Sequence, residues 1–208
     1  MMNQLYIHYG CGLFAPKSWR NFDNSLTLRF ERIPLIGRLY TKNNSRFPEN
    51  AEYGDIVKGL PILDDSCKTV YCSHVLEHLS LEDFRKALKS TYRILQKGGV
   101  FRFVMPDLEY FVKNYNNNQS FETAIRFMRE TLLGKERRNR GIKGFLFEWL
   151  SNSQHLWLWD YKAVEHELTK IGFGEVRRAL FGDSSGSMFK EVEDQGRWDD
   201  CLGVECRK

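Results

Sequence analysis

Several short stretches of this 208-residue sequence pair a β-rich run with residues able to hold a ligand. Leu5-Tyr6-Ile7-His8-Tyr9 stops at Gly10-Cys11-Gly12, and Trp19-Arg20-Asn21-Phe22 stops at Asp23. Ala51-Glu52-Tyr53 stops at Gly54-Asp55-Ile56, and Thr69-Val70-Tyr71-Cys72-Ser73 stops at His74. A glycine lets backbone approach a ligand where a Cβ would intrude. A carboxylate ending a second strand can accept both hydroxyls of a ribose, and one ending a third can accept from an adenine amino group. Each feature alone is commonly a turn. Repeated at successive strand ends, they point to a nucleoside ligand. Leu13, Phe14, Ala15 and Pro16 follow Gly12, so no Gly-x-Gly-x-x-Gly opens a long helix. A pyrophosphate needs such a helix N-terminus, which turns the choice away from a dinucleotide.

Two histidines are candidates for chemistry. His74 directly follows a strand and can act as a base or position an acceptor, with a packing role as its alternative. His155, near Trp157, Trp159 and Tyr161, is a second candidate at the mouth, although such aromatics commonly pack a core or lid. Asp107 is expected to cap the helix after the fifth strand. Glu77-His78 raises the question of a metal, but no second acidic pair stands at ligand spacing, so helix-start packing is preferred and no metal is expected.

The elements that must position these groups alternate. Ser80 caps an amphipathic helix whose Leu81, Phe84, Leu88, Tyr92 and Leu95 share one face, with Lys97-Gly98-Gly99 as its expected stop. Val100 to Met105 is a further strand, ended by Pro106. A helix broken by Pro34 is expected from Ser25 to about Tyr40, and a helical insertion over 107–154 with an Asn-rich turn at Asn116-Asn117-Asn118. Tyr161 to Ile171 reads as a helix ending at Gly172. Two last strands, near 175–180 and 200–206, are joined by a Gly/Ser/Asp-rich stretch expected to be flexible. Strand–helix–strand repetition predicts an α/β fold with a mostly parallel sheet. The length fits a single domain over 1–208.

Ser73-His74-Val75-Leu76-Glu77-His78-Leu79, followed by Leu95-Gln96-Lys97-Gly98-Gly99-Val100, resembles the signature of the type 11 class I methyltransferases. Gly10-Cys11-Gly12 with Asn21-Phe22-Asp23, and Gly54-Asp55-Ile56 through Pro61, are similar to the same family. His155-Leu156-Trp157 and Gly172-Phe173 resemble its C-terminal part. The resemblance implies a Rossmann-like seven-stranded sheet with an antiparallel last strand, helices on both faces, and S-adenosylmethionine as cofactor. By position, Tyr9, Gly10, Cys11 and Gly12 would face its methionine part and Asp23 its ribose. Asp55 and Ile56 would face the adenine, and Ser73 or His74 the sulfonium. A small-molecule or glycan-type acceptor is expected, with a catalytically degenerate fold serving as a binding module as the alternative.

Composition limits the rest. Hydrophobic residues at 42% and charged residues at 28% are ordinary globular proportions. No apolar run approaches the roughly 18 residues of a membrane span, and no secretory leader is recognisable, so a cytoplasmic protein is expected. The five cysteines are an odd number without a Cys-x-x-Cys pair, which argues for reduced thiols. The net charge of +4 is mild, with a basic run from Lys135 to Lys143. That run lacks interleaved aromatics, so nucleic acid is not the expected partner. Arg29, Arg32 and Arg38 suit an anionic acceptor. The 25–40 and 145–150 segments are expected to form acceptor-binding lids, or edges that touch a membrane or a second subunit of a homodimer.

Overall fold

The computed structural model describes residues 5–34, 37, 45–118, 120–136 and 154–208. Its strands are β1 (Leu5–Tyr9), β2 (Arg20–Asp23), β3 (Ala51–Tyr53), β4 (Cys67–Ser73), β5 (Leu95–Pro106), β6 (Gly174–Ala179) and β7 (Cys201–Arg207). They form one seven-stranded sheet in the order β3-β2-β1-β4-β5-β7-β6. The pairs from β3 through β5 are parallel, while β7 runs antiparallel to both β5 and β6. The expected sheet with a reversed last strand is therefore present. Strand order reverses between β1 and β4, and in open α/β sheets the carboxyl ends at such a point form the ligand crevice.

The helices are α1 (Leu26–Glu31), α2 (Leu81–Ile94), α3 (Leu108–Asn116), α4 (Thr123–Glu130) and α5 (Tyr161–Ile171). Ser80 caps α2 by accepting the Asp83 N–H, and Phe84, Ala87, Leu88, Thr91 and Ile94 form its buried stripe. This stripe packs with Val164 and Leu168 of α5 against Ile7, Tyr9, Val70, Cys72, Phe101 and Phe103 of the sheet. Helix α2 does not run on to Lys97-Gly98-Gly99. It ends at Ile94, and Leu95, fully buried, pairs with Cys67 in the sheet. The register slips between Cys67 and Thr69, and Gly98 takes φ +77°, so the glycines make an irregularity at the start of β5 instead of the helix stop.

Ser25 caps α1, accepting the Thr27 N–H at 3.2 Å, and the helix closes at Glu31, ahead of Pro34; residues 35, 36 and 38–40 of the expected helix lie outside the described residues. Proline disfavours helical backbone in the residue before it, and Pro34 acts at this point. Arg38, Phe145–Leu150 and the part of the basic run beyond Glu136 lie outside the described residues. Asp107 caps α3, with Oδ1 accepting the Glu109 N–H at 2.9 Å, and α3 ends at the Asn-rich turn.

The β6–β7 connection departs most from expectation. It holds two 3-10 turns, Ser187–Glu191 and Gln195–Arg197, and buries Phe189, Val192 and Trp198. These side chains pack with Trp19, Tyr71 and Val104 over the sheet face opposite α2 and α5. A stretch read as a flexible linker from its small residues is instead a cover for the sheet. Its four apolar anchors, Met188, Phe189, Val192 and Trp198, carry that packing. Among the described residues, no helix is long and apolar enough to cross a membrane.

Candidate functional site

The glycine loop after β1 is held from two sides. Cys11 N–H donates to the Phe22 carbonyl at 3.1 Å, and Gly12 N–H donates to Asp23 Oδ2 at 2.9 Å. The other carboxylate oxygen of Asp23 accepts the Ser25 N–H at 2.8 Å. Each oxygen keeps a second lone pair, so Asp23, half-buried at the end of β2, can brace the loop and still accept two hydroxyls. Gly54 N–H donates to the Asp23 carbonyl, which ties the ends of β2 and β3 together. Beyond it, Asp55 Oδ1 accepts the Val57 N–H at 3.0 Å while Oδ2 pairs with Lys58 at 3.3 Å.

Gly10 sits at φ +69° directly beneath Val75 in the loop that follows β4. A Cβ built there would lie 2.1 Å from Val75 Cγ2, so these two loops touch across the switch point. Gly10→Ala is therefore expected to cost about 1–3 kcal/mol through left-handed strain and overpacking, and to reshape the crevice. Gly12→Ala, with open space around its Cβ, should cost only about 1 kcal/mol. Thermal melts of the two variants check the order, and equal losses would count against the Gly10–Val75 contact.

Tyr9, Cys11 and Ile56 are brought to the crevice by main chain only. Their side chains are buried, with Tyr9 and Ile56 in the main core and Cys11 against Leu28 and Ala51. Burial pushes the Cys11 thiol up to about 12. All five cysteines are free thiols.

At the end of β4, Ser73 and His74 meet a residue that the sequence did not single out. Arg197 Nε donates to Ser73 Oγ at 2.7 Å, and its Nη2 donates to the Ser73 carbonyl at 2.9 Å. The Arg197 carbonyl in turn accepts from His74 Nε2 at 2.9 Å. His74 takes φ +53°, unusual for a non-glycine residue, with its N–H bonded to the Val104 carbonyl. Its Nδ1 lies 3.2 Å from Glu77 Oε1. Burial alone lowers the His74 pKa, but contacts with Cys201, Glu77 and the Arg197 carbonyl outweigh it and carry the pKa up to about 10. With a carbonyl on one nitrogen and a carboxylate on the other, both ring nitrogens donate.

Behind His74, the structure gathers Glu77, His78 and His155. Their ligand atoms all lie within 4.8 Å of one another. Leu156 and Trp157 N–H groups donate to the Glu77 carbonyl at 2.8 and 3.2 Å, pinning the segment that carries His155. Burial lowers the His155 pKa, opposed by the Glu77 charge. The aromatics beyond His155 divide. Trp159 is buried and stacked on Phe84 at 4.1 Å, whereas Trp157 is exposed. The Tyr161 hydroxyl lies 3.0 Å from Glu165 Oε1 and 3.2 Å from the Val176 carbonyl, between α5 and β6, and its one hydrogen is shared by these acceptors.

Of the arginines suited to an anion, Arg32 spends its guanidinium on the Pro48 and Ala51 carbonyls, and Arg29 lies over the Tyr53 ring at 5.6 Å. A concavity of about 940 Å³ opens where β1 and β2 begin, lined by Leu5, Tyr6, Trp19 and Arg20. It lies at the amino ends of the strands, away from the carboxyl-end crevice.

Residues 37–103 match the model of a methyltransferase domain family. No curated protein matches the sequence. Solved structures share the fold at low identity. One is a chain of the complex between the Haloferax volcanii Trm112 methyltransferase activator and a putative methyltransferase, at 16% identity and TM-score 0.51, covering 99% of this chain and 82% of that one. Another is an S-adenosylmethionine-dependent methyltransferase from Archaeoglobus fulgidus, at 13% identity and TM-score 0.52, with 99% and 86% covered. A third is a Haemonchus contortus phosphoethanolamine N-methyltransferase solved with S-adenosylhomocysteine, at 13% identity and TM-score 0.50, of which this chain covers 48%. The fold is that of the class I S-adenosylmethionine-dependent methyltransferases.

Proposed function

We propose that this chain binds S-adenosylmethionine at the carboxyl ends of β1 to β4 and transfers its methyl group to a small-molecule or glycan-type acceptor. The observation that carries the reading is Asp23, which braces the Gly10–Gly12 loop through Gly12 N–H while keeping lone pairs for a ribose diol. In this reading the glycine loop faces the methionine part of the cofactor, Asp55 and the Ile56 backbone the adenine, and Ser73 with His74 the sulfonium side.

A sulfonium methyl is already activated, so the protein chiefly holds a nucleophile in line and excludes water. His74, donating through both nitrogens, has no lone pair with which to take a proton. We therefore assign it a positioning role, fixing the loop after β4, rather than that of a general base. His155 is the remaining candidate: burial lowers its pKa, which leaves a ring lone pair for a proton or for a cation. Arg197, exposed beside Ser73, supplies a positive charge for an anionic acceptor next to His74. We place the activity in the cytoplasm.

The engaged state of His74 also favours the second reading, a fold that binds the cofactor without turnover. Titration calorimetry with S-adenosylmethionine and S-adenosylhomocysteine tests the first step. One site per chain is expected, and no heat at high micromolar ligand would remove the methyltransferase reading. Binding without methyl transfer to any acceptor in a metabolite screen would select the second.

A further inference from the structure

We propose that Glu77, His78 and His155 bind a divalent transition-metal ion. The Glu77 carboxylate is 1% exposed, and its Oε2 accepts no hydrogen bond. Oε1 lies 3.2 Å from His74 Nδ1 and 4.0 Å from His155 Nε2, which leaves Oε2 with no partner. A buried carboxylate is costly unless its oxygens are matched by cations or donors. His78 Nδ1 donates to the Gln154 carbonyl at 2.9 Å, which puts the proton on Nδ1 and the lone pair on Nε2. That outer contact is the kind that orients a metal-binding imidazole. The His78 and His155 rings stand edge to face with centroids 4.9 Å apart, close enough for both to reach one ion.

Ligands on one tetrahedral ion with bonds of about 2.0–2.2 Å lie about 3.3–3.6 Å apart. The cluster, spread within 4.8 Å, closes on an ion by side-chain movements of about an ångström or less. Two imidazoles and one carboxylate select zinc, cobalt, iron, nickel or manganese over magnesium or calcium, which prefer all-oxygen sites. Three protein ligands leave positions open. An acceptor oxygen taking one of them would lie beside the loop that carries His74; this role rests on the methyltransferase reading, whereas metal binding itself does not.

Chelator-treated protein titrated with Co²⁺, without S-adenosylmethionine, tests the site. One Co²⁺ per chain with visible d–d absorption is expected, displaced by Zn²⁺ and lacking a thiolate charge-transfer band. His155→Ala and His78→Ala should each weaken binding by at least about 100-fold, beyond the usual loss from an outer-contact change. His166→Ala, on the exposed face of α5, should bind like wild type. Zn²⁺ should also raise the melting temperature of wild type but not of His78→Ala, a readout that persists if His155→Ala folds poorly. No d–d band, a thiolate band, or unchanged binding in His78→Ala overturns the proposal. Cofactor calorimetry on the metal-free protein is independent of all these outcomes, so failure of the metal site and failure of the methyltransferase reading are told apart.

Discussion

Asp23→Ala is expected to lower affinity for S-adenosylmethionine by at least about 100-fold. A hydrogen bond to a charged group contributes about 1.5–3 kcal/mol, and each 1.4 kcal/mol is a factor of ten, so losing two ribose hydroxyls from one carboxylate gives about 100-fold at the low end. The change also strips the acceptors from Gly12 N–H and Ser25 N–H, loosening the loop that faces the methionine part. Asp23→Asn should be nearly as damaging. Its amide keeps one oxygen, and its NH₂ must then meet either the Gly12 or the Ser25 N–H, donor against donor. Asp55→Ala provides the contrast. A single charge-assisted bond to an adenine amino group is about 1.5–3 kcal/mol, or roughly 10- to 100-fold, half of what two ribose bonds supply. Calorimetry on the three variants, with circular dichroism to verify the fold, measures this order. Unchanged affinity in Asp23→Ala would mean that the ribose lies elsewhere.

The carboxyl ends of the strands were legible because local chemistry marks them. Aromatic and β-branched runs stop at glycine or aspartate, and Ser25, Ser80 and Asp107 cap the helices that follow, as their side chains dictate. What the sequence hid are contacts closed by the tertiary fold. Nothing in Gly10 or Val75 announces that one packs on the other. Glu77-His78 looked like a pair without a partner because His155 arrives from beyond the insertion. Arg197 sits in a stretch whose glycines and serines suggested a linker, while Phe189 and Trp198 beside it are buried. One residue does announce a tertiary contact. Arg102 interrupts the apolar run Val100 to Met105, and a charge inside a strand buried on both faces must be met by acids elsewhere in the chain. Asp183, Glu193 and Glu205 supply them.

Arg102→Met should therefore be among the most destabilising single changes in this protein. The guanidinium is fully buried. It donates to Glu193, to Asp183 at 2.9 Å, to Glu205 at 3.1 Å and to the Leu180 carbonyl at 2.6 Å, and it lies over the Trp198 ring at 4.5 Å. Methionine matches the bulk but leaves these acceptors without their cation. Breaking a buried pair from one side costs about 3–5 kcal/mol, against a total stability of about 5–15 kcal/mol for a domain. At this size that corresponds to a melting temperature lower by roughly 6–20 °C. Arg102→Lys should fall between, because one ammonium cannot reach three carboxylates and a carbonyl in the fork geometry of arginine.

The same cluster sets a pH limit. Burial raises the Asp183 pKa, but Arg177, the Leu180 N–H and Arg102 outweigh it and hold the pKa down to about 2. Its folded pKa is thus depressed from 3.8, so its stabilisation is complete above about pH 4 and is lost as pH falls through about 2. Acid should release the β6–β7 cover at the low end of that window, and Asp183→Asn should remove this component of the acid transition. Because Arg197 rides on this cover, the loss reaches the crevice: Arg102→Met should free Ser73 and His74 from their Arg197 contacts. Its affinity for S-adenosylmethionine should fall even below its melting temperature. A variant that melts within about 2 °C of wild type and binds the cofactor normally would show that the cover is held by its apolar anchors alone.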